Sequence, residues 1–488
     1  MPNKNLQDLH LHWNLKATKK LRDIDWHGEI IKSDDFIDRI DRSRAIIRDL
    51  VLQHTPESAE IFGIAVEDSP NNLALGIALI LEGITQAIIP LETTKQQQEK
   101  LCERYNVTIL ATSRNLADHQ EWKSMGKVFD NIQFYNRAGK HKNNPEANSI
   151  NQKSETKDTS CLSLLLGTTS GTTSQRPEIV RGDYDWFMCM AEESTWSPYF
   201  LIDRPLVGSC MQNWSSRLQK LLLILRGKTF VARHRDLSFE QQPLIDSCDG
   251  ALIAPNPLRS WIAQGNMKHL PDGFLLISGS DRVTTDLRQD ISNIKNVALG
   301  ISYATSQTGP ITWLPPEALL EEEDSVGWPL KHVNLRLIEN SKNLNKNGKI
   351  FQEAIIRTPR TTLNPGDYLH ISESGQIIFG GRSSDVFLFN SILVSPLEIE
   401  DVLNQHAGVK ECAAFGAVSN RFGSVPMAAY TIKTGWDSKH IDQELDTLCR
   451  EHLGKVRPRK LVKMDILPRG RTGKILRREL SSIHALNL

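Results

Sequence analysis

A run of small hydroxyl side chains is the first feature that could do chemistry. From Thr168 to Ser174 the chain carries six Ser or Thr side chains and one Gly, directly after the apolar run 161–166 (CLSLLL). Such a loop can turn backbone N–H groups and hydroxyls onto one anion, the usual way of holding phosphate. No Gly-Lys-Ser/Thr closes it, so it is not a Walker A loop. By itself it reads equally well as a flexible Ser/Thr-rich surface loop. A second candidate is Lys474, which closes Pro468-Arg469-Gly470-Arg471-Thr472-Gly473-Lys474. From Lys455 to Arg478 there are ten Lys or Arg and one acid, Asp465. That density fits a cap over a polyanionic substrate, a nucleic-acid patch or a solvated face. Between the two lie Ser278-Gly279-Ser280, Tyr303-Ala304-Thr305-Ser306-Gln307 and Gly366-Asp367-Tyr368. Taken singly, Tyr303 reads as a core aromatic, Asp367 as half of a Gly-Asp turn and Lys474 as a solvated lysine.

These residues need a scaffold, and the composition supplies one. The 488 residues are 39% hydrophobic and 24% charged, which suits two or three folded domains. Lys+Arg and Asp+Glu both number 58, so net charge selects no class of partner. The seven cysteines form no C-x-x-C pair. Reduced, mostly buried thiols in a cytoplasmic protein are expected, not a disulfide framework or a zinc site. The first twenty residues lack the apolar core of a signal peptide, and the apolar stretch 73–81 is too short to span a bilayer.

Apolar periodicity places the elements. Phe36, Ile40, Ile46, Ile47 and Leu50 recur at helical spacing. Strands are expected at 60–66, 87–91 and 107–111, alternating with helices at 71–82 and 96–105, which implies a largely parallel α/β sheet. The stretch 137–160 has almost no apolar residue and reads as a long exposed connection. Further short strands at 229–232, 250–254, 274–277 and 297–301, with a helix at 218–225, continue the alternation. Polar Gly/Ser/Thr turns follow several of these strands, and in an open parallel sheet such turns share one edge, where ligands bind. The last hundred residues change character: hairpin chemistry around Gly366 and 375–381, then a Ser395-Pro396-Leu397-Glu398 capping box opening a helix. Strands at 412–418, 427–432 and 460–467, a helix at 442–453 and a basic C-terminal helix complete an α+β module.

In this order the motifs become specific. The Ser/Thr/Gly loop is followed by Tyr303-x-x-Ser306-Gln307, Gly366-Asp367-Tyr368, Gly381-Arg382-x-x-Asp385, Val394-x-Pro396-x-Glu398-Ile399-Glu400 and Arg471-Thr472-Gly473-Lys474. The chain resembles the adenylate-forming enzyme superfamily of acyl-CoA synthetases, peptide-synthetase adenylation domains and firefly-type luciferases. The resemblance covers nearly the whole chain and is strongest from Asp367 to Lys474. It implies a large N-terminal α/β domain of layered, mostly parallel sheets (1–381) and a small mobile α+β C-terminal domain (382–488).

The resemblance also implies roles. Thr169, Ser170, Gly171, Thr172 and Thr173 would cradle the β- and γ-phosphates of ATP. Ser278, Gly279 and Ser280 would border the adenine, and Tyr303 would stack on it. Ser306 would contact the α-phosphate. Asp367, with Arg382 beside it, would receive the ribose hydroxyls. Lys474 would bridge the carboxylate substrate and the α-phosphate, and Ser384, followed by Asp385, would be the hinge. The implied reaction is ATP-dependent activation of a carboxylic acid as acyl-AMP, then transfer to a thiol. The cofactors would be ATP and Mg2+, with CoA or the phosphopantetheine of a carrier protein as acceptor. The acid is expected to be aryl or fatty, and no nucleic-acid partner is expected.

The chain also departs from the family pattern. Ser174 replaces a Gly, one residue is added before Pro177, and Glu178 stands where Lys is usual. Gln307 replaces the magnesium-binding Glu, leaving at most an amide ligand. Arg176 is placed to stand in for the missing lysine. Leu388 replaces a common Lys, Ser391 replaces a Gly beside the pantetheine path, and 206–214 has no His. Trp186, Trp196 and Trp214 are candidates for lining the acyl pocket. Glu178 and Gln307 also admit a second reading: a non-catalytic or impaired nucleotide-binding homologue.

Overall fold

The computed structural model describes residues 13–14, 18–54, 61–91, 93–116, 121–129, 131–137, 163–168, 179–183, 197–208, 210–233, 244–339, 342–346, 348–359, 361–419, 423–436, 440–470 and 474–485. Two seven-stranded sheets and a helical layer between them form the bulk of the protein. In the first sheet Ile109–Thr112, Ile61–Ala65, Thr85–Ile88 and Ser163–Thr168 run parallel. The antiparallel strands Ile132–Arg137 and Trp122–Phe129 flank one side and Ile179–Asp183 the other. In the second, Val297–Ile301, Phe274–Ser278, Gly250–Ile253, Pro205–Gly208, Val231–Arg233 and Ile24–Trp26 run parallel, and Glu29–Ile31 closes the edge antiparallel.

The helix Pro70–Leu81 explains how the sheets are joined. Ser69 caps it through a bond from Asn72 N, Pro70 starts it, and every residue from Asn72 to Leu81 is buried. A helix apolar on all sides must be covered on all sides. It packs against Trp214–Leu225, and the shared core takes in Phe62, Ile64 and Leu164 from one sheet and Val207, Phe230 and Ala232 from the other. Arg217 threads this layer fully buried. Its guanidinium donates to Gln86 Oε1 at 2.7 and 2.9 Å and to Asn72 Oδ1 at 2.7 Å. Burial lowers its pKa to about 9.

A third, antiparallel sheet includes Asn334–Leu337, Lys349–Arg357, Asp367–Ile371 and Ile377–Arg382. The C-terminal elements form their own layer. Val409–Ser419, Gly423–Ile432 and Lys460–Lys463 make a sheet, covered by the helices Pro396–Leu403, Ile441–Leu453 and Arg477–Ile483. The expected α/β class, with parallel central strands and a smaller α+β C-terminal part, is what the chain folds into.

Several expectations need correction. Ser395 precedes the helix at Pro396 as expected, but it makes no capping bond. Its hydroxyl donates instead to Gly380 O at 3.0 Å, tying the helix start to the third sheet. A complete capping box does form at Thr94 and Gln97. The strand expected at 460–467 ends at Lys463, and the one expected at 87–91 is Thr85–Ile88. The connection expected at 137–160 lies, from 138 onward, outside the described residues. Cys102, Cys248, Cys412 and Cys449 are free and buried, and Cys210 is half-buried. Cys161 and Cys189 lie outside the described residues. Burial pushes the Cys102 thiol up to about 12, which suits packing better than reactivity.

Candidate active site

The site is built where parallel strands of the second sheet end. Phe274–Ser278 and Val297–Ile301 are neighbours in register, so the turns after them emerge side by side. Ser302 N donates to Ser278 O at 2.9 Å. A Cβ on Gly279 would lie 2.4 Å from Ser302 O, so only glycine lets the two turns approach this closely. Gly279→Ala should therefore destabilise the fold by about 1–3 kcal/mol and weaken nucleotide binding. Urea unfolding and calorimetric titration with AMP check both parts; an unchanged urea midpoint would count against the close approach.

Tyr303 follows and turns toward the third sheet. Its hydroxyl donates to Asp367 Oδ2 at 2.5 Å, and its ring lies 6.2 Å from that of Phe379. Asp367 is directly opposite Arg382 across the antiparallel pair, with Arg382 Nε 3.8 Å from Asp367 Oδ1. Asp367 is only 4% exposed, yet its Oδ1 has no hydrogen-bond donor. Burial raises its pKa, against the pull of Arg382, Tyr303 and Lys474. A buried carboxylate oxygen without a donor is costly unless a ligand hydroxyl supplies one.

Lys474 reaches the same place from the C-terminal elements. Its loop is clipped by Gly470 N to Lys474 O at 2.8 Å and Leu476 N to Pro468 O at 2.9 Å. Burial, and then the Arg382 charge, lower its pKa, while Asp281, Asp367 and Asp385 act the other way. Ser306 and Gln307 sit at the tip of a small hairpin between Ala304–Thr305 and Gly309–Pro310. Thr308 N donates to Thr305 Oγ1 at 3.1 Å and holds that tip closed. Ser384 is exposed and donates to Asp385 Oδ1 at 3.2 Å. Asp385 lies 3.5 Å from Arg477, whose other arm meets Glu400 at 2.7 Å.

The structure thus brings Ser278, Gly279, Tyr303, Asp367, Arg382 and Lys474 near one another. Thr169, Ser170, Gly171, Thr172, Thr173 and Arg176 lie outside the described residues, as do Ser174, Glu178, Trp186 and Trp196. Trp214 is buried at the entry to that loop, 2.9 Å from where a Cβ on Gly167 would sit. Among the described residues no three His, Cys, Asp or Glu cluster to hold a metal. One residue had no sequence signal at all. Tyr199 bonds to Ser302, next to Tyr303, from a short turn more than a hundred residues earlier in the chain.

The hairpin Phe387–Phe389/Ile392–Val394 turns through Asn390 and Ser391 at φ 49° and 64°. Both angles are left-handed, and Ser391 occupies the position where a Gly is usual. Ser391→Gly should stabilise the fold by about 0.5–1 kcal/mol. A lower thermal midpoint for that variant would contradict the strain.

Comparison with known proteins gives a C-terminal domain match and a fold. Residues 398–474 match the AMP-binding enzyme C-terminal domain. The whole chain shares its fold with solved CoA ligases. It superposes with TM-score 0.75 and 15% identity on an anthranilate CoA ligase in complex with anthranoyl-AMP, covering 99% of this chain and 97% of that one. It superposes with TM-score 0.74 and 17% identity on the O-succinylbenzoate coenzyme A synthetase of Bacillus subtilis in complex with ATP and magnesium ion, covering 97% and 98%.

Sequence relatives are narrower in extent. A long-chain-fatty-acid–CoA ligase of Salmonella typhimurium is 29% identical over 197 residues, 36% of this chain and 34% of that protein. A 2-succinylbenzoate–CoA ligase of Oceanobacillus iheyensis is 26% identical over 234 residues, 43% of this chain and 47% of that protein. The match therefore spans between a third and a half of the length of these curated relatives.

Proposed function

We propose that the chain is an ATP-dependent acid–thiol ligase, which activates a carboxylic acid as acyl-AMP and passes the acyl group to a thiol. The observation that carries this reading is the meeting of these side chains. A buried carboxylate with one oxygen lacking a hydrogen-bond donor, an aromatic wall, an arginine and a lysine of lowered pKa converge from three parts of the chain. Asp367 Oδ1 receives a ribose hydroxyl, Tyr303 borders the base, and Ser306 faces the α-phosphate.

The chemistry joins an anion to an anion. The carboxylate attacks the α-phosphorus, the bond to the β-phosphate oxygen breaks, and pyrophosphate leaves carrying the extra charge. Positioning and neutralisation do most of the work, and Lys474 supplies a cation beside both reacting groups. No general base is needed, because the acid is already ionised near neutral pH. Mg2+ would bind the nucleotide phosphates, with Gln307 as the amide nearest to a ligand role, and would supply further charge neutralisation. The 169–173 stretch and Arg176 complete the phosphate side.

We divide the chain at 381/382, with Ser384 and Asp385 as the hinge and Lys474 on the C-terminal lid. The relatives favour CoA as the acceptor; a carrier-protein phosphopantetheine is the other thiol of the same chemistry. An aryl or fatty acid fits the relatives' named substrates. Among the described residues no helix is long and apolar enough to cross a membrane, and we assign a cytoplasmic location.

Pyrophosphate exchange with a panel of long-chain, succinylbenzoate-like and anthranilate-like acids tests the reading. Exchange with at least one acid is expected. AMP binding without exchange on any acid would instead support the nucleotide-binding homologue that Gln307 motivates.

A further inference from the structure

We propose that a buried quartet of charges, Arg282, Lys346, Asp324 and Asp401, is a latch that seats the C-terminal elements, and with them Lys474, over the Asp367–Arg382 pair. Asp401 is thereby a positioning residue for Lys474.

The quartet is assembled across the boundary between the large body and the C-terminal elements. Arg282 lies just after the Ser278-Gly279-Ser280 turn, Asp324 in the stretch before Trp328, and Lys346 at the end of the strand Leu344–Lys346. Asp401 alone belongs to the helix Pro396–Leu403. Arg282 meets Asp324 at 2.6 Å and also contacts Asp401; Lys346 meets Asp324 at 2.8 Å and Asp401 at 2.9 Å. The side chains of Lys346, Asp324, Arg282 and Asp401 are 3%, 6%, 10% and 20% exposed, so water does little to screen them.

Charge counting gives the latch its sense. With the helix seated, two cations face two carboxylates. Without Asp401 the large body would keep two buried cations and one carboxylate, an arrangement tolerated only if water reaches it. The seated arrangement is therefore balanced only when Asp401 is present. Glu400, on the same helix and within range of Arg282, is already paired with Arg477 at 2.7 Å. Glu398, on the same helix, is within range of Lys346 and Asp401, but burial pushes its carboxyl up and weakens it as a counter-ion. Arg288, near Asp324 and Arg282, adds positive charge.

Asp281, adjacent to Arg282 in the chain, acts on both Lys474 and Arg477. Arg282 thus contacts the C-terminal elements at Asp401, while the charge of the adjacent Asp281 favours the cationic forms of Lys474 and Arg477.

The inference rests on the reading of Lys474 as the residue that enters the nucleotide cleft, so its primary readout is a distance and not an activity. Spin labels carried on unnatural amino acids at the exposed positions Ser292 and Glu451 of the full chain leave the native cysteines untouched. Their separation is measured by pulsed dipolar spectroscopy. The unsubstituted quartet should give one dominant distance. Asp401→Asn should lower the ratio of that population to a longer one by about tenfold. Asp401→Glu should restore it. The deciding variant is Arg282→Met combined with Asp401→Asn, which leaves Lys346 and Asp324 balanced. A latch predicts recovery toward the original distance, whereas lost packing predicts a worse defect.

An unchanged distribution in Asp401→Asn, or a double variant more displaced than the single one, overturns the latch. If Asp401→Asn does not fold, the comparison of Arg282→Met with the double variant decides in the same way, because Arg282→Met alone leaves one excess carboxylate. Pyrophosphate exchange is run in parallel: it should fall with Asp401→Asn and recover in the double variant. A distance change without exchange in any variant would retain the latch and remove the ligase reading.

Discussion

Lys474→Ala should reduce pyrophosphate exchange by roughly a hundred- to a thousandfold while leaving the protein folded. The lysine's value lies in placing a cation where two anions must approach. Arg382 is near, but it is already engaged with Asp367. The pKa of Lys474 gives the prediction a second arm. Burial holds it below the usual lysine value of 10.5. Exchange should therefore fall on the alkaline side at a lower pH than an ordinary lysine would dictate, and Lys474→Arg should move that limb upward. The stability sign is the opposite of a salt bridge's. A lysine whose pKa is lowered by folding carries its charge at a cost at neutral pH, and that cost disappears as pH rises through the lowered value. Lys474→Ala should thus leave the thermal midpoint of the empty protein equal or higher. Exchange within a few-fold of the unsubstituted enzyme would remove Lys474 from the mechanism.

Asp367→Asn should weaken ATP and AMP binding by roughly ten- to a hundredfold, the worth of one charge-assisted hydrogen bond. The loss should be confined to nucleotides bearing ribose hydroxyls; a dideoxy analogue should bind both proteins alike. The empty protein should respond in the other direction. Folding raises this carboxyl's pKa, so the ionised form loses stability as pH rises through the raised value. Asparagine removes that loss. The variant should be more stable than the parent near neutrality, and the difference should vanish on acidification. Calorimetric titration and urea unfolding at neutral and mildly acid pH test the two halves. A variant both less stable and unimpaired in binding would mean that Asp367 is a structural residue.

Much of this was legible in the sequence, for identifiable reasons. The helix Pro70–Leu81 is apolar from Leu73 onward and bracketed by Ser69-Pro70 and Gly83, so its existence and burial are both readable. Asp367 and Arg382 belong to short Gly-punctuated strands, and a hairpin is the natural way to pair them. The edge strand Trp122–Phe129 escaped notice because Lys123, Ser124, Gly126 and Lys127 interrupt its alternation. The hairpin Ile24–Trp26/Glu29–Ile31 escaped for another reason. Its first strand pairs with Val231–Arg233, some two hundred residues away. The same distance problem hides the charge quartet. Residues 282, 324, 346 and 401 share no local pattern, and only the tertiary fold makes them neighbours. Ser395 shows a local rule overridden: its hydroxyl had a cap available and took the Gly380 carbonyl instead.

The helix layer between the two large sheets has a consequence for how the chain reaches this state. Ten consecutive buried residues of Pro70–Leu81 find their cover partly on strands that follow residue 200. A nascent chain released before those strands emerge presents an apolar rod with one side uncovered, the kind of surface that drives aggregation. Fragments ending near residue 140 should therefore be insoluble, and the first three hundred residues should unfold as one cooperative unit. The C-terminal hundred residues differ, since Val394, Ile399, Val409, Tyr430 and Leu445 close a core among themselves. They can mature last, on a body already complete.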